Sequence, residues 1–157
     1  MGQIRVKADS VLDAPSADVY ATIADYRQGH PQIVPKENFY DMLVEQGGYG
    51  AGTTIRFKMK VLGVERTLHH RVSEPEPGRV LVEQDIDAPQ NIVTTFTVTP
   101  LDNGERSHVE ISTTLNTSPG LAGIVERIVV PLINSRIYRK EMKKLEAVAR
   151  ERTSAHA

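Results

Sequence analysis

The sequence contains no cysteine and no tryptophan, and only three phenylalanines in 157 residues. Without thiols the chain can form no disulfide, no thiolate metal site and no cysteine nucleophile, a composition compatible with a reducing cytoplasm. An excess of either charge is also missing: 19 basic residues face 20 acidic ones, for a net charge of −1. Nucleic-acid-binding domains usually carry a basic excess, so nucleic acid is excluded as the expected partner. No stretch approaches the roughly 20 apolar residues needed to span a bilayer. Residues 1–9 alternate charged with apolar side chains and do not form the continuous apolar segment of a signal peptide. The expected location is cytoplasmic.

What is present is ordinary globular composition, 39% apolar and 25% charged, enough to bury a core in one domain and too little to build two. The reading places that domain at residues 1–152 and a disordered tail at 153–157. Ile4, Val6 and Ala8 alternate with Arg5, Lys7 and Asp9, the period of a half-buried strand. Asp13-Ala14-Pro15-Ser16 then supplies a helix start, followed by Val19, Tyr20, Ile23 and Ala24 at helical spacing. Gly29, Pro31 and Pro35 allow only one more short helical turn. Strand-like runs follow at Phe39–Gln46, 53–61, 65–74, 80–86, 92–99 and 107–115, joined by turn-forming segments such as Leu62-Gly63 and Asp102-Asn103-Gly104. Short links between successive strands predict an antiparallel meander. From Ser118-Pro119 the period becomes helical to about Arg150, and Pro131, inside this segment, predicts a kink.

A helix this long must bury its apolar stripe against the one apolar face of the sheet, so the sheet is expected to curve around it. The order of elements is that of the helix-grip fold. With the opening "VLDAPSADVYATIADY", the glycine loop "GGYGAGT", the turn "VSEPEPGRVLVE" and the amphipathic C-terminal helix, the chain resembles the START-like (SRPBCC) superfamily over nearly its whole length. Within it, it is similar to the polyketide cyclase/dehydrase and lipid-transport group, which is related to coenzyme Q-binding proteins and the pollen-allergen family. The resemblance implies an α+β fold, a curved seven-stranded antiparallel sheet around a long C-terminal helix with two short helices after the first strand. It implies no single reaction, because carriers, cyclases, aromatases and chaperone cofactors share this scaffold.

Side-chain alternation selects the candidate site. His69 and His70 are adjacent on a strand and point to opposite faces, so one strand cannot aim both at one metal. With Leu68 and Val72 inward, His70 is the inward histidine and the candidate acid or base, and His69 faces solvent. His30 marks the loop between the short helices, and His108 and His156 are expected in solvent. The expected ligand contacts are Phe57, Met59, Leu68, His70, Val82, Gln84, Thr94, Phe96 and Thr113 from the sheet, with Val125, Val129 and Ile133 from the helix. If Val82 and Gln84 face inward, Glu83 and Asp85 face outward, and no two carboxylates share an inward face. The glycine loop 47–52 lacks a following Lys-Ser/Thr pair, so it reads as a flexible hairpin turn and not a phosphate cradle. No Gly-x-Ser-x-Gly elbow occurs. Arg136, Arg139, Lys140, Lys143 and Lys144 read as the solvated face of the helix in preference to a membrane contact.

The sequence therefore points to binding or transport of a hydrophobic small molecule, a lipid, isoprenoid or aromatic polyketide, without metal or other cofactor. The alternatives are a cyclase, aromatase or dehydratase using His70, with Gln84, Thr94 or Tyr40 orienting an oxygen, and a chaperone cofactor or interaction module.

Overall fold

The computed structural model describes residues 2–156; Met1 and Ala157, the ends of the expected domain and tail, lie outside the described residues. The chain runs β1 (Gln3–Leu12), α1 (Ser16–Ala24), α2 (Gly29–Ile33), β2 (Phe39–Gln46), β3 (Thr54–Val61), β4 (Val64–Glu76), β5 (Val80–Asp85), β6 (Val93–Leu101), β7 (Arg106–Asn116) and α3 (Leu121–Ala155). A 3-10 turn, Asp102–Gly104, joins β6 to β7.

The strands form one seven-stranded antiparallel sheet in the order β1-β7-β6-β5-β4-β3-β2. The two short helices carry the chain from one edge strand, β1, across to the other, β2. From there each strand folds back on the one before it until β7 lies beside β1. The hairpins need little chain: at β3–β4, Leu62 and Gly63 both take positive φ (52° and 77°), the two-residue turn whose twist matches that of paired strands.

Burial alternates as the sequence predicts on β1, where Ile4 and Val6 are buried and Arg5 and Lys7 exposed. It does so again on β3, β6 and β7, where Ile55, Phe57, Phe96, Val98, Val109 and Ile111 are inward and buried. β5 departs from the expectation. Leu81, Glu83 and Asp85 are the buried residues, and Gln84 is exposed. The cause is an irregularity in β4 at Ser73–Glu76, next to Pro75. Glu76 pairs with Val80 beside the turn, but further along Val72 faces Glu83 and His70 faces Asp85. Had the first pairing continued, Gln84 would stand opposite Val72. The extra residue slips the register by one and exchanges the faces of β5.

α3 is longer than its sequence pattern suggested. It continues through Ala155, so residues 153–155 are helical and not a tail. Asp18 of α1 holds this end, accepting from Thr153 Oγ1 at 2.6 Å and contacting His156 Nε2 at 2.8 Å. The C-terminal half of α3 is packed into the core through Ile137, Tyr138, Met142, Leu145 and Ala149, against α1 residues such as Val19 and Ile23. In the N-terminal half only Gly123 is buried, and Leu121, Ile124, Ile128 and Leu132 of the expected stripe point to solvent. The backbone of α3 comes near β1, α1 and α2 and stands off the central strands.

The glycine loop is not a free edge. Gly48 O accepts from Tyr26 N at 2.9 Å, Gly50 N donates to Ala24 O at 2.9 Å, and Gly52 N donates to Val72 O at 3.0 Å. These bonds tie the end of α1 to β4. No helix among the described residues is long and apolar enough to cross a membrane.

Candidate functional site

Where α3 stands off the sheet, a cavity of about 400 Å³ remains. Its walls come from the inward faces of β2 to β7, from α2, and from one face of α3. Of the sequence-selected contacts, Phe57, Met59, Leu68, His70, Thr94, Phe96 and Thr113 line it from the sheet, and Val125, Val129 and Ile133 from the helix. Val82 and Gln84 do not. The β4 register slip turns both away, and Gln84 donates to Asn91 Oδ1 on the outer side. Tyr40 is also outside the cavity, on β2, bonded to Glu65. Strand alternation located the rest, because these strands pair without an uncompensated slip along the cavity.

One part of the cavity wall is a cluster of buried polar groups, most of which were not expected there. His30 is 2% exposed, locked on α2 by its Nδ1–H, which donates to Ile23 O at 2.8 Å. Its ring stacks on Tyr26 with centroids 4.5 Å apart, and its Nε2 lies 3.3 Å from Glu83 Oε1. Tyr26 donates its hydroxyl to the same Glu83 oxygen at 2.5 Å. Glu83 Oε2 lies 3.9 Å from His70 Nδ1, and Asp85 Oδ1 lies 3.0 Å from His70 Nε2. Two carboxylates thus do share an inward face, and His30 is a second inward histidine.

Burial alone would neutralise such groups; their mutual charges decide otherwise. Burial opposes charge on His70, but Asp85 and Glu83 outweigh it and raise its pKa to about 9. Burial likewise pushes Glu83 up, yet His30, His70 and the Tyr26 hydroxyl together hold it below the usual carboxylate range. Neither His70 nitrogen makes an aligned hydrogen bond, and both are closed off from solvent and cavity space, as is Asp85 Oδ1. The pair is held by charge at short range and not by a directed bond. The His70 ring packs at nearly a right angle to Phe57, with centroids 5.0 Å apart.

Across from this cluster α3 presents Tyr138 and Glu141. Tyr138 bonds to Thr113 Oγ1, which is 2.8 Å from Thr94 Oγ1, so three hydroxyls form one chain along the wall. Glu141 is 4% exposed and lines the cavity. Burial, reinforced by the Glu83 charge, raises its pKa to about 8. No hydrogen bond or ion pair reaches its carboxyl among the described residues. The signal for it was legible: Glu141 stands four residues after Ile137 and four before Leu145, a carboxyl inside the apolar stripe. His30 had no such signal, since a five-residue helix has no period to read.

The remaining histidines sit in surface pairs. His69 lies on the outer face, 2.6 Å from Glu45 and 3.2 Å from Asp87, and His108 is 2.7 Å from Asp9. Among the described residues no group of three or more histidine and acidic side chains is arranged to hold a metal ion.

The profile of the family described as polyketide cyclase / dehydrase and lipid transport matches residues 3–150. The chain belongs to that family. Its fold is the START-like helix grip. Among solved structures, the KanY protein (ms6282) is 27% identical with a TM-score of 0.80, covering 96% of this chain and 99% of that one. The Zhui aromatase/cyclase from Streptomyces sp. R1128 is 18% identical with a TM-score of 0.79 over 97% of this chain and 96% of its own. A START superfamily protein from Mycobacterium smegmatis is 12% identical with a TM-score of 0.73, covering 96% and 99%. No curated protein matches the chain.

Proposed function

We propose that this polyketide cyclase / dehydrase and lipid transport family member binds an amphipathic small molecule, apolar over most of its length, inside the cavity between sheet and α3. The observation that carries this reading is the separation of α3 from the central strands, which leaves about 400 Å³ walled mainly by aliphatic and aromatic side chains, with the buried polar groups His30, His70, Glu83, Tyr138 and Glu141 clustered together and the less buried Arg66, Gln90, Asn116, Glu126 and Asn134 also on its wall. That distribution is typical of small-molecule sites, where apolar surface supplies affinity and a few polar groups fix orientation. Lipids, isoprenoids and aromatic polyketides all fit the description. Native mass spectrometry of the purified protein, followed by titration with the neutral fluorophore N-phenyl-1-naphthylamine, tests it. A co-purifying small molecule or saturable one-to-one binding is expected. Absence of both overturns the reading.

A second reading, a cyclase- or dehydratase-type enzyme with His70 as acid or base, is favoured by the concentration of buried ionisable groups, since perturbed side chains gather at catalytic sites. It requires the His70 ring to turn a nitrogen toward the ligand. Under this reading His70→Ala removes turnover of an aromatic polyketide substrate and spares binding; unchanged turnover removes His70 from the mechanism.

A further inference from the structure

Among the described residues, the Glu141 carboxyl is buried, lines the ligand space and has neither a hydrogen-bond nor an ion-pair partner. The other polar groups clustered with it are committed elsewhere. Glu83 Oε1 takes the Tyr26 hydroxyl and faces His30 Nε2, and Glu83 Oε2 faces His70. Both His70 nitrogens are shut away from the cavity. Tyr138, Thr113 and Thr94 bond to one another. A buried polar group without a partner is costly, and native structures seldom leave one unmet. A polar ligand atom in the cavity would supply the partner that the protein does not.

We infer that Glu141, in its neutral acid form, donates a hydrogen bond to an uncharged oxygen of the ligand, and so selects molecules with a carbonyl or similar acceptor at their polar end over molecules ending in a carboxylate. This rests on the ligand-binding reading above. The electrostatic setting explains the choice. Glu83 of the sheet, Tyr26 after α1 and Tyr138 on its own helix interact electrostatically with Glu141, and His30 of α2 and His70, paired to Asp85, line the same cavity. Burial, reinforced by ionised Glu83, keeps a proton on Glu141, making it a donor. The Glu83 charge also repels an anionic ligand head from this part of the cavity.

Four probes with one apolar body test the inference: naphthalene, 2-acetylnaphthalene, 2-naphthoate and 2-naphthylmethylamine, each titrated calorimetrically into the full chain. At pH 6.5 the ketone is expected to bind about tenfold more tightly than naphthalene, the yield of one net hydrogen bond, and the carboxylate more weakly than either. The ketone's advantage should shrink as pH rises through about 8, where Glu141 ionises. Glu141→Leu should bring the ketone down to the level of naphthalene. Glu141→Gln, which keeps an uncharged donor, should keep the advantage and lose its pH dependence. Naphthalene binding to both variants shows that the cavity is intact. If no probe binds, the ligand-binding reading itself fails. If naphthalene binds but the ketone gains nothing over it, if the carboxylate or the amine binds best, or if Glu141→Leu leaves the ketone's advantage unchanged, the inference is overturned while that reading stands.

Discussion

Glu141 illustrates how one buried carboxyl can make a fold less stable as pH rises. Below about pH 4.5 it is protonated in both folded and unfolded chains and costs nothing through ionisation. Between that value and about 8 the unfolded chain ionises and the folded one does not, so stability falls as pH rises, by about 1.4 kcal/mol per pH unit at most. Above about 8 the loss levels off. Glu141→Gln is expected to stabilise the protein in urea unfolding at pH 8 by a few kcal/mol and to have little effect at pH 4. A gain that is the same at both pH values would show that ionisation is not its source. His70 acts over a different window. Its raised pKa contributes stability that is complete below about 6.5 and is lost as pH rises through about 9, so a shallower slope persists in the glutamine variant. Glu83 works in the opposite sense, contributing above its ordinary range and losing that contribution in acid. Removing its charge leaves His70 and Asp85 beside each other without their third partner. Glu83→Gln should cost about 3–5 kcal/mol at pH 7, the usual penalty for breaking one member of a buried charged set, measurable as a lowered urea midpoint. A loss below about 1 kcal/mol would mean that the cluster is not ionised as described.

At the scale of elements, two local features set the site. The slip in β4 turns Glu83 and Asp85 inward, and the glycine loop ties β4 to the end of α1, whose next residues, Tyr26 and His30, complete the polar cluster. Gly50 is the tightest point of that loop. It has φ of 60°, and a Cβ there would lie 2.1 Å from Glu74 Oε1. Gly52 also has positive φ, 88°, but open space around it. Gly52→Ala should therefore cost about 1 kcal/mol, from backbone conformation alone. Gly50→Ala should cost measurably more, because Glu74 must also release its bonds to Ala51 N and the Tyr20 hydroxyl. Equal losses in thermal unfolding would contradict this account of the loop. α3 divides its work along its length: the C-terminal half is core, and the N-terminal half roofs the cavity with Val129, Val130, Ile133 and the largely exposed Val125, while Leu121, Ile124, Ile128 and Leu132 face water. One apolar stripe read from periodicity was in fact two faces, because a helix that covers a cavity is not buried on the side a periodic pattern implies.

For the whole molecule, cavity and core are separable. Val129 is half-buried and lines the space without belonging to the packed cluster. Val129→Phe is expected to lower N-phenyl-1-naphthylamine affinity at least tenfold while leaving the urea midpoint nearly unchanged, since the added ring occupies empty volume. Unaltered probe binding would place the ligand elsewhere. The sequence by itself determined the number and order of the elements and the inward faces of β3, β6 and β7, because these follow from short-range periodicity and turn chemistry, while the helix-grip topology came from the family resemblance. It also settled that His70 points in and His69 out, since neighbours on a strand must alternate. Only the tertiary structure decided that β5 presents Glu83 and Asp85, that His30 joins them from a different element, and that Glu141 meets them from the far end of the chain. The physical reason is that a single extra residue in one strand reverses every face beyond it, and a cluster assembled across four elements leaves no period in any one of them.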